Sequence, residues 1–153
     1  MRYEWLDGYL LSLPGAEKDY KAEWGWFRYT VRGKLFAAVC SPGAEHKIYG
    51  GRDLVNLKCA PMQSELLRDA YPDILPGFYM DKRTWIACFL DGGLPNDLLR
   101  QLCANSYWLV LEKLPKYAQH EILKALSESR QAKTQHAVPT GNSQRRQRKR
   151  ETL

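Results

Sequence analysis

Glu23-Trp24-Gly25-Trp26-Phe27-Arg28-Tyr29-Thr30-Val31-Arg32-Gly33-Lys34-Leu35-Phe36-Ala37-Ala38-Val39-Cys40 carries the fold in miniature. Trp24, Trp26, Tyr29 and Val31 recur with the two-residue bias of a half-buried strand, Phe27 breaking the pattern. Arg32-Gly33 interrupts them, and Lys34 to Cys40 resumes as a second apolar run. Two such runs joined by a two-residue turn containing Gly predict a β-hairpin.

Upstream, Trp5, Leu6, Tyr9, Leu10 and Leu13 fall at helical spacing and stop at Pro14-Gly15, while Glu17 to Lys21 reads as a polar connector. Downstream, Ser41-Pro42-Gly43 opens a Gly-rich loop over 41–52, and Leu54 to Cys59 reads as a third strand. Pro61 suits the first position of a short helix bearing Met62, Leu66, Leu67 and Ala70. Tyr71 to Phe78 holds two prolines and reads as a turn, and Thr84 to Leu90 as a strand. From Pro95 to about Leu114 a helical stripe runs through Leu98, Leu99, Leu102, Cys103, Ser106, Tyr107, Val110 and Leu114. A last helix is predicted from Pro115 to about Arg130, through Ala118, Ile122, Ala125 and Leu126. The order α-β-β-β-α-β-α-α predicts an α+β fold: an antiparallel-rich twisted sheet with helices packed on one face. Its other face is then wet or used, with Trp24, Trp26 or Tyr29 as candidates to lie on it.

The charge is unevenly spread. Residues 1–129 carry sixteen Lys/Arg and sixteen Asp/Glu, whereas 130–153 carry seven Lys/Arg and one Glu. Arg145, Arg146, Arg148, Lys149 and Arg150 form most of that surplus. The expectation is a single domain over 1–130 followed by a disordered basic tail over 131–153, able to attract polyanions by counterion release. No apolar run approaches the roughly 20 residues that span a bilayer, and the N-terminus lacks a signal-peptide pattern. No membrane association is expected, and a cytoplasmic location is.

Cys40, Cys59, Cys88 and Cys103 form no C-x-x-C, and His46, His120 and His136 fall at no metal-ligand spacing. Buried free thiols, no metal and no cofactor are expected. Cys59, between Lys58 and a helix start at Pro61, is the one thiol whose setting would favour a thiolate. Gly50-Gly51 lacks the Lys-Ser/Thr of a phosphate loop, and Asp69, Asp73, Asp81 and Asp91 sit in turn-like text, so a non-enzymatic protein is expected.

Five segments resemble the MmcQ/YjbR family: Leu11-Ser12-Leu13-Pro14-Gly15-Ala16-Glu17; Gly33-Lys34-Leu35-Phe36-Ala37; Leu57-Lys58-Cys59-Ala60-Pro61; Tyr71 to Trp85, with Pro76-Gly77-Phe78-Tyr79 and Lys82; and Ser106-Tyr107-Trp108-Leu109-Val110 with Leu114-Pro115-Lys116. The motif residues are Pro14, Gly15, Lys34, Phe36, Lys58, Cys59, Pro61, Pro76, Gly77, Tyr79, Lys82, Trp85, Ser106 and Tyr107. The resemblance implies a frataxin-like α+β fold and the family's label, a DNA-binding protein with a double-wing motif. This chain departs from it at Ala60, where the family commonly has an acid, and in extending past Tyr117.

Two functions from different classes follow. In the first, nucleic acid is the partner. Arg32 and Lys34 at a hairpin tip, with Lys58, Lys82 and Arg83 beside Trp85, form a basic edge. The tail residues Arg145, Arg146, Arg148, Lys149 and Arg150 add non-specific phosphate contacts. In the second, a sheet face or pocket receives a protein or small ligand, the tail is incidental, and the partner is unidentified. Ser106 and Tyr107 fall on the buried stripe, where a core hydrogen-bond network is expected of them.

Overall fold

The structure, a computed structural model, describes residues 2–137. One compact unit ends at Pro115, and a second starts at Lys116. The first contains α1 (Leu6–Ser12), β1 (Ala16–Lys21), β2 (Trp26–Val31), β3 (Lys34–Cys40), β4 (Leu54–Lys58), α2 (Pro61–Ala70), β5 (Ile74–Pro76), β6 (Trp85–Phe89) and α3 (Asn96–Leu111). All six strands join one antiparallel sheet in the order β1-β2-β3-β4-β6-β5. The class is α+β.

The hairpin is as its residues predict. Val31 pairs with Lys34, and Arg32 and Gly33 fill the turn at φ of 50° and 79°. Two positive φ values define the turn whose twist matches that of the flanking strands, and Gly33 adopts its value freely. Further along, the pairing jumps from Thr30–Leu35 to Tyr29–Ala37, leaving Phe36 as the extra residue of a β-bulge. Phe36 and Ala37 therefore both serve the helix face, while Leu35 and Ala38 serve the other.

The helix face is closed. Tyr107 on α3 packs edge-on against Phe36, ring centroids 5.4 Å apart, and its hydroxyl donates to the Pro14 carbonyl at 2.6 Å. Burial pushes the Tyr107 phenol up to about 12. The Ser106 hydroxyl donates to the Phe36 carbonyl at 2.5 Å and accepts from the Lys58 N–H at 2.8 Å, the core network expected of this pair. From α1, Asp7 accepts from Lys18 and from the Tyr29 hydroxyl, both at 2.6 Å. Tyr29 therefore belongs to the helix face, and only the two tryptophans remain candidates for the opposite one.

Two strands were not legible as strands. Glu17 to Lys21, read as a connector, lies within edge strand β1, and the turn-like 71–78 contains the three-residue edge strand β5. Helix α4 runs Lys116–Ala137, past the end expected near Arg130. Residues 131–137, assigned to a disordered tail, thus continue a helix, because Gln131, Ala132, Lys133 and Gln135 are tolerant helix formers and the first breaker is Pro139. The tail residues Arg145, Arg146, Arg148, Lys149 and Arg150, with the rest of 138–153, lie outside the described residues. No helix among the described residues is long and apolar enough to cross a membrane.

Candidate functional site

The sheet's second face is built from Trp26, Ala38, Cys40, Leu54, Ala87 and Phe89, with Tyr49 and Phe78 packed onto them from loops. Phe78 reaches across the face as far as Trp26 of β2. Asn56 explains how it stays there. It is fully buried in an apolar strand, and its side-chain amide both donates to the Phe78 carbonyl and accepts from the Phe78 N–H, each at 2.9 Å. Tyr49 adds a hydroxyl bond to the Pro76 carbonyl at 2.7 Å, and the Lys82 amine bonds the Gly77 carbonyl. Gly77 is required: a Cβ there would lie 2.6 Å from the Trp85 Cβ.

Between this pinned loop wall and the β1–β2 side of the sheet lies a cleft of about 1020 Å³. On the strand side it is lined by Glu17 and Asp19 of β1, Trp26, Arg28 and Thr30 of β2, and Leu35 of β3. The β1–β2 turn contributes Glu23 and Trp24. The far wall consists of Ser41, Pro42, Gly43, Glu45 and His46, with Phe78, Tyr79 and Met80. A row of rings crosses it: Trp24 to Trp26 at 5.3 Å, Trp26 to Phe78 at 6.2 Å, and Phe78 to Tyr79 at 4.6 Å. Trp26 is buried as its floor, but Trp24 is 56% and Tyr79 71% exposed. Tyr20, Trp108 and Tyr117 are exposed as well, but Trp24 and Tyr79 share one cleft.

Tyr79 is also held at φ +55°, where residues other than Gly are seldom found. The bonds to its neighbour Phe78 over-determine the loop, which is the condition under which such strain persists.

The electrostatics are one-sided. Four carboxylates face the cleft against one guanidinium, that of Arg28, with His46 beside them. Arg28 grips Asp19 through two bonds of 2.8 and 2.7 Å and holds its carboxyl below the usual range. Glu23 is likewise lowered, by its own backbone N–H and then by Lys21 at 3.6 Å. His46 stands edge-on to Phe78 and Tyr79, its Nε2 3.5 Å from Glu45.

The residues singled out in the sequence are elsewhere. Lys34 and Arg32 occupy the hairpin tip, and Arg32 has a partner of its own. Lys58 lies over the Trp85 ring at 5.3 Å, opposite it in register. Arg83 is exposed beside Asp81, which accepts from its N–H at 2.8 Å. By strand register these groups share one end of the sheet, although Lys82 is committed inward to Gly77. Trp85 is buried, as expected of a core strand. All four cysteines are free and buried. Cys59 is no thiolate: burial raises its thiol, outweighing the Ala60 backbone contact at the helix start. Burial also pushes Cys40 and Cys103 up to about 12. Among the described residues no group of three or more His, Cys, Asp or Glu could hold a metal ion. Sequence reading missed the cleft's acids on β1 and the role of Asn56. The readable signal was an amide in the apolar run Leu54-Val55-Asn56-Leu57, which demands a buried partner.

The motif residues Pro14, Phe36, Lys58, Ser106 and Tyr107 thus meet in one network, and Gly77, Lys82 and Trp85 in another. A sequence profile of the YjbR family matches residues 11–109, which contain both. The chain belongs to the YjbR family. The uncharacterized protein YjbR of Escherichia coli (strain K12) is 32% identical over 108 residues, covering 71% of this chain and 86% of that relative. The uncharacterized protein YyaQ of Bacillus subtilis (strain 168) is 39% identical over 102 residues, covering 62% and 86%. Among solved structures, Deinococcus radiodurans protein DR2400, with a DUF419 domain, aligns at a TM-score of 0.65 and 27% identity over 76% of this chain and 84% of its own. A Pseudomonas syringae protein aligns at 0.62 and 24% identity over 71% and 98%, a likeness of fold alone.

Proposed function

We propose that this YjbR-family protein is a non-enzymatic binding module whose open-face cleft receives a ligand. One observation carries the reading: Trp24 and Tyr79 stand exposed in a cleft of about 1020 Å³, the latter on a strained backbone held by buried bonds. That volume lies at the upper end of the roughly 300–1,000 Å³ of ligand pockets. Binding is favoured over catalysis because all four cysteines are buried and the Glu45–His46 contact, at 3.5 Å, is too long for a hydrogen bond. The test is NMR of the full-length protein against small fragments of positive, neutral and negative charge, read at the Trp24 and Trp26 indole N–H signals. At least one charge class should shift both signals. If none does, the cleft is not a binding site.

Nucleic acid is the second reading, favoured by the shared location of Lys34, Lys58 and Arg83 at one end of the sheet. Cleft carboxylates repel phosphate, so any contact would use that end together with the tail arginines. Duplex DNA titrated over a salt series, with the full chain and with a chain ending at 137, tests it. Residual binding by the shorter chain that disappears in a Lys34→Ala/Lys58→Ala/Arg83→Ala variant would support the sheet end. No residual binding would remove it.

A further inference from the structure

Resting on that cleft reading, we infer that the ligand is a cationic polypeptide segment, docked with Arg or Lys side chains lying along the Trp24–Tyr79 row and their charges on Glu17 and Glu45. Counter-charge is the first argument. Asp19 is already taken by Arg28, and Glu23 is held loosely by Lys21 at 3.6 Å. Glu17 has no ion pair among the described residues, and Glu45 has His46 at 3.5 Å. Among the described residues, two carboxylates on opposite walls thus have no strong base beside them, and an incoming cation would add a favourable charge pair at each.

The second argument is the rings. A cation over an indole face is attracted by the ring quadrupole. Trp24 already shows this, with the Lys21 amine at 5.3 Å and the Arg28 guanidinium at 5.9 Å from its centroid. Long Arg and Lys stems suit such a row, because the aliphatic part covers the rings while the charged end reaches the carboxylates. Size is the third. A single small ammonium ion would leave most of about 1020 Å³ empty and could not reach both Glu17 and Glu45, whereas a peptide with several basic side chains does both. An acidic segment would meet four carboxylates.

The experiment uses the full-length protein and three fluorescein-labelled hexapeptides: hexa-arginine, hexa-glutamate and a Gly-Ser repeat. Polarisation measures affinity, and the Trp24 indole N–H signal reports the location. Hexa-arginine should bind, shift that signal and weaken with added salt. A Glu17→Gln/Glu45→Gln variant should bind it about tenfold less tightly, from roughly threefold for each exposed pair. Trp24→Ala should cost about three- to fivefold. Both variants should keep the melting temperature of the parent. Three outcomes overturn the inference. If hexa-arginine does not move Trp24 but a neutral or acidic peptide or fragment does, the cleft binds a different class and its reading survives. If no probe moves Trp24, the cleft reading falls as well. If hexa-arginine binds but the cleft variants bind it equally, the cation is held elsewhere on the surface.

Discussion

The two faces of this sheet solve the same problem differently. On the helix face, Phe36, Ala37, Leu57 and Ile86 are fully buried, Phe36 against Tyr107 of α3, and each polar group that enters is consumed: Ser106 by Phe36 and Lys58, Tyr107 by Pro14, Tyr29 by Asp7. On the other face the loop residues Tyr49 and Phe78 provide the cover. Asn56 sews one such loop down, and the cleft beside it has aromatic rings at its floor and rim. Helix packing closes a face by burying area. A loop held at a few polar points closes only what it covers, and the remainder is free to bind.

The sharpest way to break this contrast is at Trp85, on the open face but under the loop. If that part is core, Trp85→Ala should cost about 3–5 kcal/mol in chemical denaturation, as for aromatic truncation in a core. A loss below about 1 kcal/mol would mean that the loop is a loose cover and that the face beneath it is open.

Next comes the stitch itself. Asn56→Ala strands the Phe78 N–H and carbonyl in a buried setting, and should cost about 2–3 kcal/mol while freeing the loop. Amide hydrogen exchange at Phe78 and Tyr79 should accelerate far more than at Tyr107 on the helix face. Equal acceleration on both faces would show that the loop is not a separate device.

A smaller effect tests the closed face. Hydrogen bonds from Lys18 and then Tyr29 hold the Asp7 carboxyl below its ordinary 3.8. The unfolded chain therefore takes up the proton first as pH falls. The stability from Asp7 is complete above that ordinary value and is lost as pH drops below it toward the folded value. Because the Asp7 side chain is about half exposed, solvent screening keeps the gain small. Tyr29→Phe should cost about 1 kcal/mol at pH 7 and flatten the loss of stability as pH falls below 3.8. An unchanged acid profile would show that the pair is not coupled to folding.

What could be read from the chain follows the same division. The hairpin, α1, α2, α3, β4 and β6 were legible because each buries a stripe, and burial writes periodicity into sequence. Strand β1 was not, because as an edge strand it turns Glu17 and Asp19 to the cleft and Lys18 and Tyr20 to the other side, with no apolar alternation. The strand that builds the candidate site was thus the one that sequence pattern could not show. β5 was hidden by its length of three residues and by Pro76, which reads as a turn and is tolerated at an edge. The cleft's far wall depends on Asn56 reaching Phe78, twenty-two positions away, and no local pattern encodes that pairing.

The smallest expected effect on stability is the most discriminating for the site. Tyr79 sits at φ +55° and is 71% exposed. Replacing it with Gly removes a backbone strain of about 1 kcal/mol or more but raises the entropy of the unfolded chain by a comparable amount. Little burial is lost, so Tyr79→Gly should stay within about 0.5 kcal/mol of the parent in denaturant midpoint. Tyr79→Val, whose branched Cβ tolerates positive φ poorly, should be less stable than the Gly variant by about 1–2 kcal/mol. In polarisation measurements with hexa-arginine, Tyr79→Gly should weaken binding several-fold while folding is preserved, because the ring and not its backbone contacts the ligand. If instead the Gly variant lost more than about 1.5 kcal/mol, the ring would be supporting the loop as Tyr107 supports α3. The two faces would then differ only in what covers them.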